Sequence, residues 1–220
     1  MPVVSTRVLV DGARGKIEVA ATLPSGAPRA IAVIAHPHPL FGGTMDNKVV
    51  TTVARAWVEA GAGTFRFNFR GVGATEGTHD EGRGETDDCL AVAAYAQRTV
   101  GALPLWLAGF SFGGAVALRA SGCVEFAQLA LIAPAFRRLT GHGLGEPPEA
   151  HDPHLGAAGR HFAANTVVIH GDKDETVPLA DSLEWAAPRD VPVVIVSGAE
   201  HFFHRKLHVL REILSRWVHA

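Results

Sequence analysis

Three polar residues stand where acyl-transfer chemistry would need them. Ser111 lies in Gly109-Phe110-Ser111-Phe112-Gly113, with the apolar run "LWLA" before it and the small-residue run "GGAVALRA" within and after it. In a G-x-S-x-G turn the chain reverses sharply between a strand and a helix. The glycines leave room where side chains would collide, and the serine hydroxyl is left exposed. A hydroxyl is a poor nucleophile near neutral pH and needs a base, usually histidine, oriented by an acid. His201 in "GAEHFFHRK" supplies such a base, and Asp174 in "HGDKDETVP" such an acid. The chain order Ser…Asp…His is the one that accompanies this kind of turn. His204 is the rival base, but it opens the final helix, where capping or packing suits it better. Asp172 is the rival acid, but it follows the His170-Gly171 turn directly, whereas Asp174 has room to reach an imidazole. The plain reading of Ser111 is a glycine turn that happens to hold a serine; the strand before it and helix after it favour the nucleophile.

The elements around these residues alternate between strand and helix. Arg7–Val10 and Lys16–Ala20 read as a hairpin around Asp11-Gly12. Ala30–Ala35, "AIAVIA", has the all-apolar character of a strand buried on both faces. The pattern predicts further strands over Thr64–Asn68, Leu105–Ala108, Gln128–Ala133, Thr166–Ile169 and Val191–Val196. It predicts helices over Asn47–Ala60 (closed by Gly61), Glu85–Val100 (with Thr86 near its cap), Gly113–Ala120, Leu179–Ala187 and His208–Val218. Such alternation implies an α/β class: a mainly parallel sheet with helices on both faces. Sites in such sheets form beyond the carboxyl ends of the strands, and the serine, the acid and the histidine each follow a different strand.

Composition narrows the function classes. With 220 residues, 47% of them hydrophobic and 19% charged, the chain suits a single globular domain over 1–220. The net charge of −2 and the lack of a Lys/Arg cluster give no reason to expect nucleic acid. The start "MPVVSTRVLVDG" does not read as a signal peptide, and no run of about 18 apolar residues suggests a membrane span. Cys89 and Cys123 lie far apart and off any metal-ligand spacing, which favours two free thiols and a cytoplasmic location.

"GFSFGG", "HGDKDETVP" and "AEHFFH" together resemble the α/β-hydrolase superfamily. Within it, "HPHPLFGGTMDNKVV" and "RFNFRGVGATEGTHDEGRGETDD" resemble small cap-less bacterial serine hydrolases of the dienelactone-hydrolase-like carboxylesterase group. The resemblance covers nearly the whole chain. It implies an α/β-hydrolase fold with a minimal cap, no cofactor, and a small-molecule ester as substrate. It leaves the oligomeric state open. It is weak on substrate, since the superfamily also holds thioesterases and peptidases; a non-catalytic binding module on this scaffold is the reading from a different class.

The oxyanion of an acyl-transfer intermediate needs two backbone N–H donors. Phe112, the residue after Ser111, is expected to be one. The other is expected from the segment after Ala35, where Pro37 and Pro39 cannot donate. Leu40 is the first choice, Phe41 the second and His38 a further candidate. "HPH" at 36–38 and "HDPH" at 151–154 have a superficial look of metal ligands. The first fits the oxyanion segment better, with His36 bonding at its base, and no metal is expected. Arg70 is expected to pair with Glu85 or Asp88 rather than to line the site. The connection 136–161, only about 25 residues and rich in Gly, Pro and His, is too short for a helical cap of ordinary size.

Overall fold

A computed structural model of the chain describes residues 4–136 and 162–218. Its first two strands, β1 (Val4–Gly12) and β2 (Gly15–Leu23), form an antiparallel hairpin. Gly12 pairs with Gly15, so the turn falls at Ala13-Arg14 and not at Asp11-Gly12. Gly15 lies at φ 127°, a region open to glycine, and lets the strand run two residues further than its hydrophobic pattern suggests.

The alternation that follows is β3 (Ala30–Ala35), α1 (Lys48–Glu59), β4 (Ala62–Phe67), α2 (Arg83–Val100), β5 (Leu105–Phe110), α3 (Phe112–Ser121) and β6 (Gln128–Ile132). After the connection come β7 (Thr166–Gly171), α4 (Leu179–Ala186), β8 (Val193–Val196) and α5 (Leu207–Trp217). The eight strands form one sheet in the order β1-β2-β4-β3-β5-β6-β7-β8. Every neighbouring pair from β4 to β8 is parallel; β1 and β2 add an antiparallel edge. This is the mainly parallel α/β sheet that the alternation of elements implies.

Period-two patterning decides which side chains meet which helices. On β5, Leu105 and Leu107 pack with Val92 of α2 and Val116 of α3, while Trp106, Ala108 and Phe110 face the layer that holds Trp57 of α1 and Leu210 of α5. β3 divides in the same way, with Ile31 and Val33 on one side and Ala32 and Ile34 on the other. Both faces of the central strands are therefore dry, which is why β3 reads as a continuous apolar run. Trp57 is fully buried between α1 and β5, edge-on to Trp106 with ring centres 5.6 Å apart. Truncating such a ring to alanine typically costs about 3–5 kcal/mol.

Helix ends follow local chemistry. Asn47 accepts the Val49 N–H at 2.8 Å and caps α1. At α2 the cap position is Gly82, four residues before Thr86. Glu85, fully buried, reaches back to accept the N–H groups of Gly82 at 2.7 Å and Asp80 at 2.9 Å, and the Thr86 hydroxyl donates to the Gly82 carbonyl at 2.6 Å. Both cysteines are free thiols, Cys89 buried and Cys123 exposed. Among the described residues no helix is long and apolar enough to cross a membrane. The short-cap expectation for 136–161 and the "HDPH" motif fall on residues 137–161, outside the described residues.

Candidate active site

β5 runs straight into the serine turn. Ser111 sits between β5 and α3 at φ 56°, ψ −117°, a conformation costing a non-glycine residue on the order of 1–3 kcal/mol. Three backbone bonds hold it there. The Ser111 N–H donates to the Ile132 carbonyl at 2.9 Å, and the Ser111 carbonyl accepts from Gly114 at 3.0 Å and Ala135 at 3.1 Å. The flanking glycines are a matter of space. A Cβ on Gly113 would lie 2.4 Å from the His36 carbonyl oxygen, and one on Gly109 would lie 1.9 Å from that of Gly113.

The turn aims the hydroxyl at His201, whose Nε2 is 3.1 Å from Ser111 Oγ. On the ring's other side, Nδ1 is 2.7 Å from Asp174 Oδ2. An ionised carboxylate can only accept, so Nδ1 carries the proton and a neutral ring leaves Nε2 as an acceptor facing the hydroxyl. Phe110 and Phe202 flank the imidazole, with ring centres 4.9 and 5.1 Å away. The second oxygen of Asp174, Oδ1, accepts the N–H groups of Thr176 at 2.9 Å and Val177 at 2.8 Å. Burial would push this carboxyl's pKa up, but hydrogen bonds from His170, His201 and the Val177 amide reverse the sign. The group is held well below the usual carboxylate range.

The two rivals are occupied elsewhere. Asp172 accepts the Gly198 N–H at 2.6 Å and so fastens the turn after β8. His204 is exposed and bonds to Glu200, with its N–H at 2.6 Å and its Nδ1 at 3.0 Å from the carboxylate.

The segment after β3 is anchored by His36, which is fully buried. Its Nδ1 donates to the Pro37 carbonyl at 2.6 Å, and its Nε2 accepts the Phe69 N–H at 3.0 Å. Burial lowers its pKa to about 4, so the ring is neutral with one tautomer fixed by backbone. Beyond it, Pro39–Phe41 form a short 3-10 turn. Here the geometry departs from the expectation for Leu40 and Phe41. The Leu40 N–H turns back to His38 Nδ1 at 3.3 Å, and the Phe41 N–H to the His38 carbonyl at 3.1 Å. Pro39 starts this tight turn, which folds the next amides onto His38 and leaves the Leu40 and Phe41 side chains 69% and 77% exposed. Phe112 opens α3, where the first N–H groups of a helix have no intrahelical partner.

Ser111, His201, Phe112 and His38 line one cavity of about 270 Å³, together with Asn47, Thr176, Phe41 and Phe202. Apart from the two histidines, none of the described residues lining it is ionisable. Arg70 stays out of it. Its guanidinium holds Asp88 through two side-chain bonds of 3.0 and 2.7 Å, with the Arg70 N–H adding a third at 3.1 Å. Both side chains are buried, so the pair fixes the segment after β4 to α2. Among the described residues no group of three or more His, Cys, Asp or Glu could hold a metal.

Sequence reasoning passed over Asn47, Thr176 and His170. Asn47 reads only as the first residue of a helix and Thr176 as part of the segment after a strand. His170 reads as part of a glycine turn, although its place four residues before Asp174 was a usable signal.

The parallel sheet, the serine turn and the histidine beyond the last strand define an α/β hydrolase. The chain belongs to the family described as serine aminopeptidase, S33, whose profile matches residues 26–148. The uncharacterized protein RP471 of Rickettsia prowazekii is 30% identical over 225 residues, covering 96% of this chain and 88% of that protein. Among solved structures, XC6422 of Xanthomonas campestris, an α/β serine hydrolase without a lid, is 38% identical with a TM-score of 0.85, covering 100% of this chain and 95% of its own. An α/β serine hydrolase homologue from Coxiella burnetii is 37% identical with a TM-score of 0.79, covering 96% of each chain.

Proposed function

We propose that this serine-hydrolase relative cleaves uncharged carboxylic esters with short acyl chains, through a covalent acyl-enzyme. Residues 1–220 act as one hydrolase unit. Ser111 Oγ attacks the ester carbonyl while His201 Nε2 takes its proton. The tetrahedral oxyanion lies against the Phe112 N–H and a second amide. We assign that second amide to His38, because the Leu40 and Phe41 amides turn back onto His38 while His38 itself lines the cavity. His201 returns the proton to the leaving alcohol. A water then gives its proton to His201, attacks the acyl group, and releases the acid with Ser111 restored. Asp174 keeps the imidazole in the right tautomer and stabilises its positive charge.

The observation that carries this reading is the unbroken line from Ser111 Oγ through His201 to Asp174, at 3.1 and 2.7 Å. The cavity volume of about 270 Å³ falls just below the usual range for small-molecule sites, which starts at about 300 Å³, and favours a short acyl group. The family's description raises an aminopeptidase reading. Recognition of an α-ammonium calls for a carboxylate at the cavity wall, and the described lining residues bring none. The test is a panel of chromogenic esters, thioesters and aminoacyl amides, run with wild type and Ser111→Ala, together with fluorophosphonate labelling. The expected result is ester turnover and Ser111 labelling that both vanish in the variant. Turnover of aminoacyl amides above that of esters would overturn the substrate class.

A further inference from the structure

Asp174 is held from two sides, and only one of them is His201. On the other lies His170, near the end of β7 and fully buried. Its Nε2 is 2.9 Å from the Val177 carbonyl oxygen and 3.3 Å from Asp174 Oδ2. Its Nδ1 is 2.8 Å from the Ser182 hydroxyl on α4. A carbonyl can only accept, so Nε2 carries a proton and donates it, and Nδ1 pairs with the Ser182 hydroxyl. The Nε2–H is directed at the Val177 carbonyl, and the carboxylate is its second, more distant neighbour.

The carboxylate is thereby fixed in rotation as well as position. Oδ1 is taken by two amides of the 174–177 turn, and Oδ2 is shared by two imidazoles. The same His170 N–H holds the Val177 carbonyl, so it clamps the turn that supplies those amides. We infer that His170, with its Nε2–H fixed by the Val177 carbonyl and its ring held by Ser182, is a positioning residue that keeps Asp174 Oδ2 in line with His201 Nδ1. This rests on the proposed function, in which Asp174 orients His201. Without the clamp the carboxylate can swing, and the imidazole loses the partner that keeps Nε2 on the serine. A buried histidine that only filled space would owe nothing to the Asp174 side chain.

The test uses the full chain and p-nitrophenyl acetate, with His170→Leu, His170→Gln and Ser182→Ala made in wild-type and Asp174→Asn backgrounds. Small misplacements of catalytic groups cost up to about a hundredfold, so His170→Leu should lower kcat by about tenfold to a hundredfold with KM unchanged. His170→Gln should recover part of it, because its amide N–H reaches where Nε2 stood. In the Asp174→Asn background His170→Leu should cost nothing further, since residues acting as a unit are not additive. Ser182→Ala, a milder change, should show a several-fold kcat loss that likewise vanishes with Asp174→Asn; it decides the matter if His170→Leu does not fold. Wild-type kcat in the folded His170 and Ser182 variants, or an equal loss in both backgrounds, overturns the inference. If Ser111→Ala hydrolyses the ester as fast as wild type, the reading of the site fails and this inference fails with it. If Ser111→Ala is dead while the His170 and Ser182 variants are fully active, the inference fails alone.

Discussion

Acid should loosen the segment that borders the serine, and His36 gives the size of the effect. The ring is neutral, donates to Pro37 and accepts from Phe69. A proton on Nε2 would remove that acceptor and leave two N–H groups facing each other in a fully buried site. Burial moves its pKa from the usual 6.5 to about 4. The unfolded chain therefore binds a proton at a higher pH than the folded chain does. The stability that depends on neutral His36 is complete above the unfolded value and is lost as pH falls from there towards the folded one. A full shift of this size corresponds to about 3 kcal/mol, of which about 2 kcal/mol falls between about pH 7 and about pH 4.5. Other groups titrate in the same range, so the measurement is a difference. Urea unfolding of wild type and His36→Gln would be followed at both pH values. The glutamine oxygen can still accept the Phe69 N–H but cannot titrate. The variant should be less stable than wild type at neutral pH, and the gap should shrink by about 2 kcal/mol in acid. Parallel pH dependences for the two proteins would mean that His36 is not buried neutral in solution.

Three further outcomes can be measured. Asp88→Ala leaves the Arg70 guanidinium buried without its partner and should lower stability by about 3–5 kcal/mol, read as a fall in denaturant midpoint; an unchanged midpoint would show that the pair is not formed. Because Asp174 is held ionised well below the usual carboxylate range, its carboxyl should add no step to the acid limb of kcat/KM for an uncharged ester. Asp174→Asn should depress the plateau, and a two-proton limb in wild type would place a second titrating group in the site. For the cavity of about 270 Å³, acetyl and butyryl esters should be hydrolysed with higher kcat/KM than octanoyl esters; the reverse order in a monomeric sample would point to an acyl channel elsewhere.

The parallel core was legible because its signal is local and redundant. "AIAVIA" can hardly be anything but a doubly buried strand, and strand and helix periods alternate plainly on either side of it. The serine turn was legible because glycine and serine types encode a steric demand. Boundaries were less so. β5 runs to Phe110 because its last partner is Ile132, remote in sequence, and α2 begins at Arg83 because Glu85 bonds back to Asp80 and Gly82, a local cap that apolar spacing does not record. The region after β3 was hardest. Nothing in "HPHPLFGG" says that the chain folds the Leu40 and Phe41 amides back onto His38, since that depends on how Pro39 starts a turn against a particular histidine ring. His170 escaped for a similar reason: its partners are a carbonyl and a carboxylate of the 174–177 turn and one hydroxyl of α4, and residue types alone do not say that these close on one ring.

The placement of the reactive groups also governs when this chain can acquire its chemistry. Ser111 and His201 are 90 residues apart, and each stands beyond a different strand of the parallel sheet. Parallel neighbours cannot be closed by a hairpin; they require crossovers, and such non-local pairings form late and slowly. No contiguous fragment shorter than the stretch from β5 to the residues after β8 contains both partners of the 3.1 Å contact. A nascent chain emerging from the ribosome therefore carries Ser111 long before His201, and on the proposed mechanism the hydroxyl stays an ordinary alcohol until β8 docks. The contact between the two side chains therefore belongs to the finished tertiary structure and to no local segment of it.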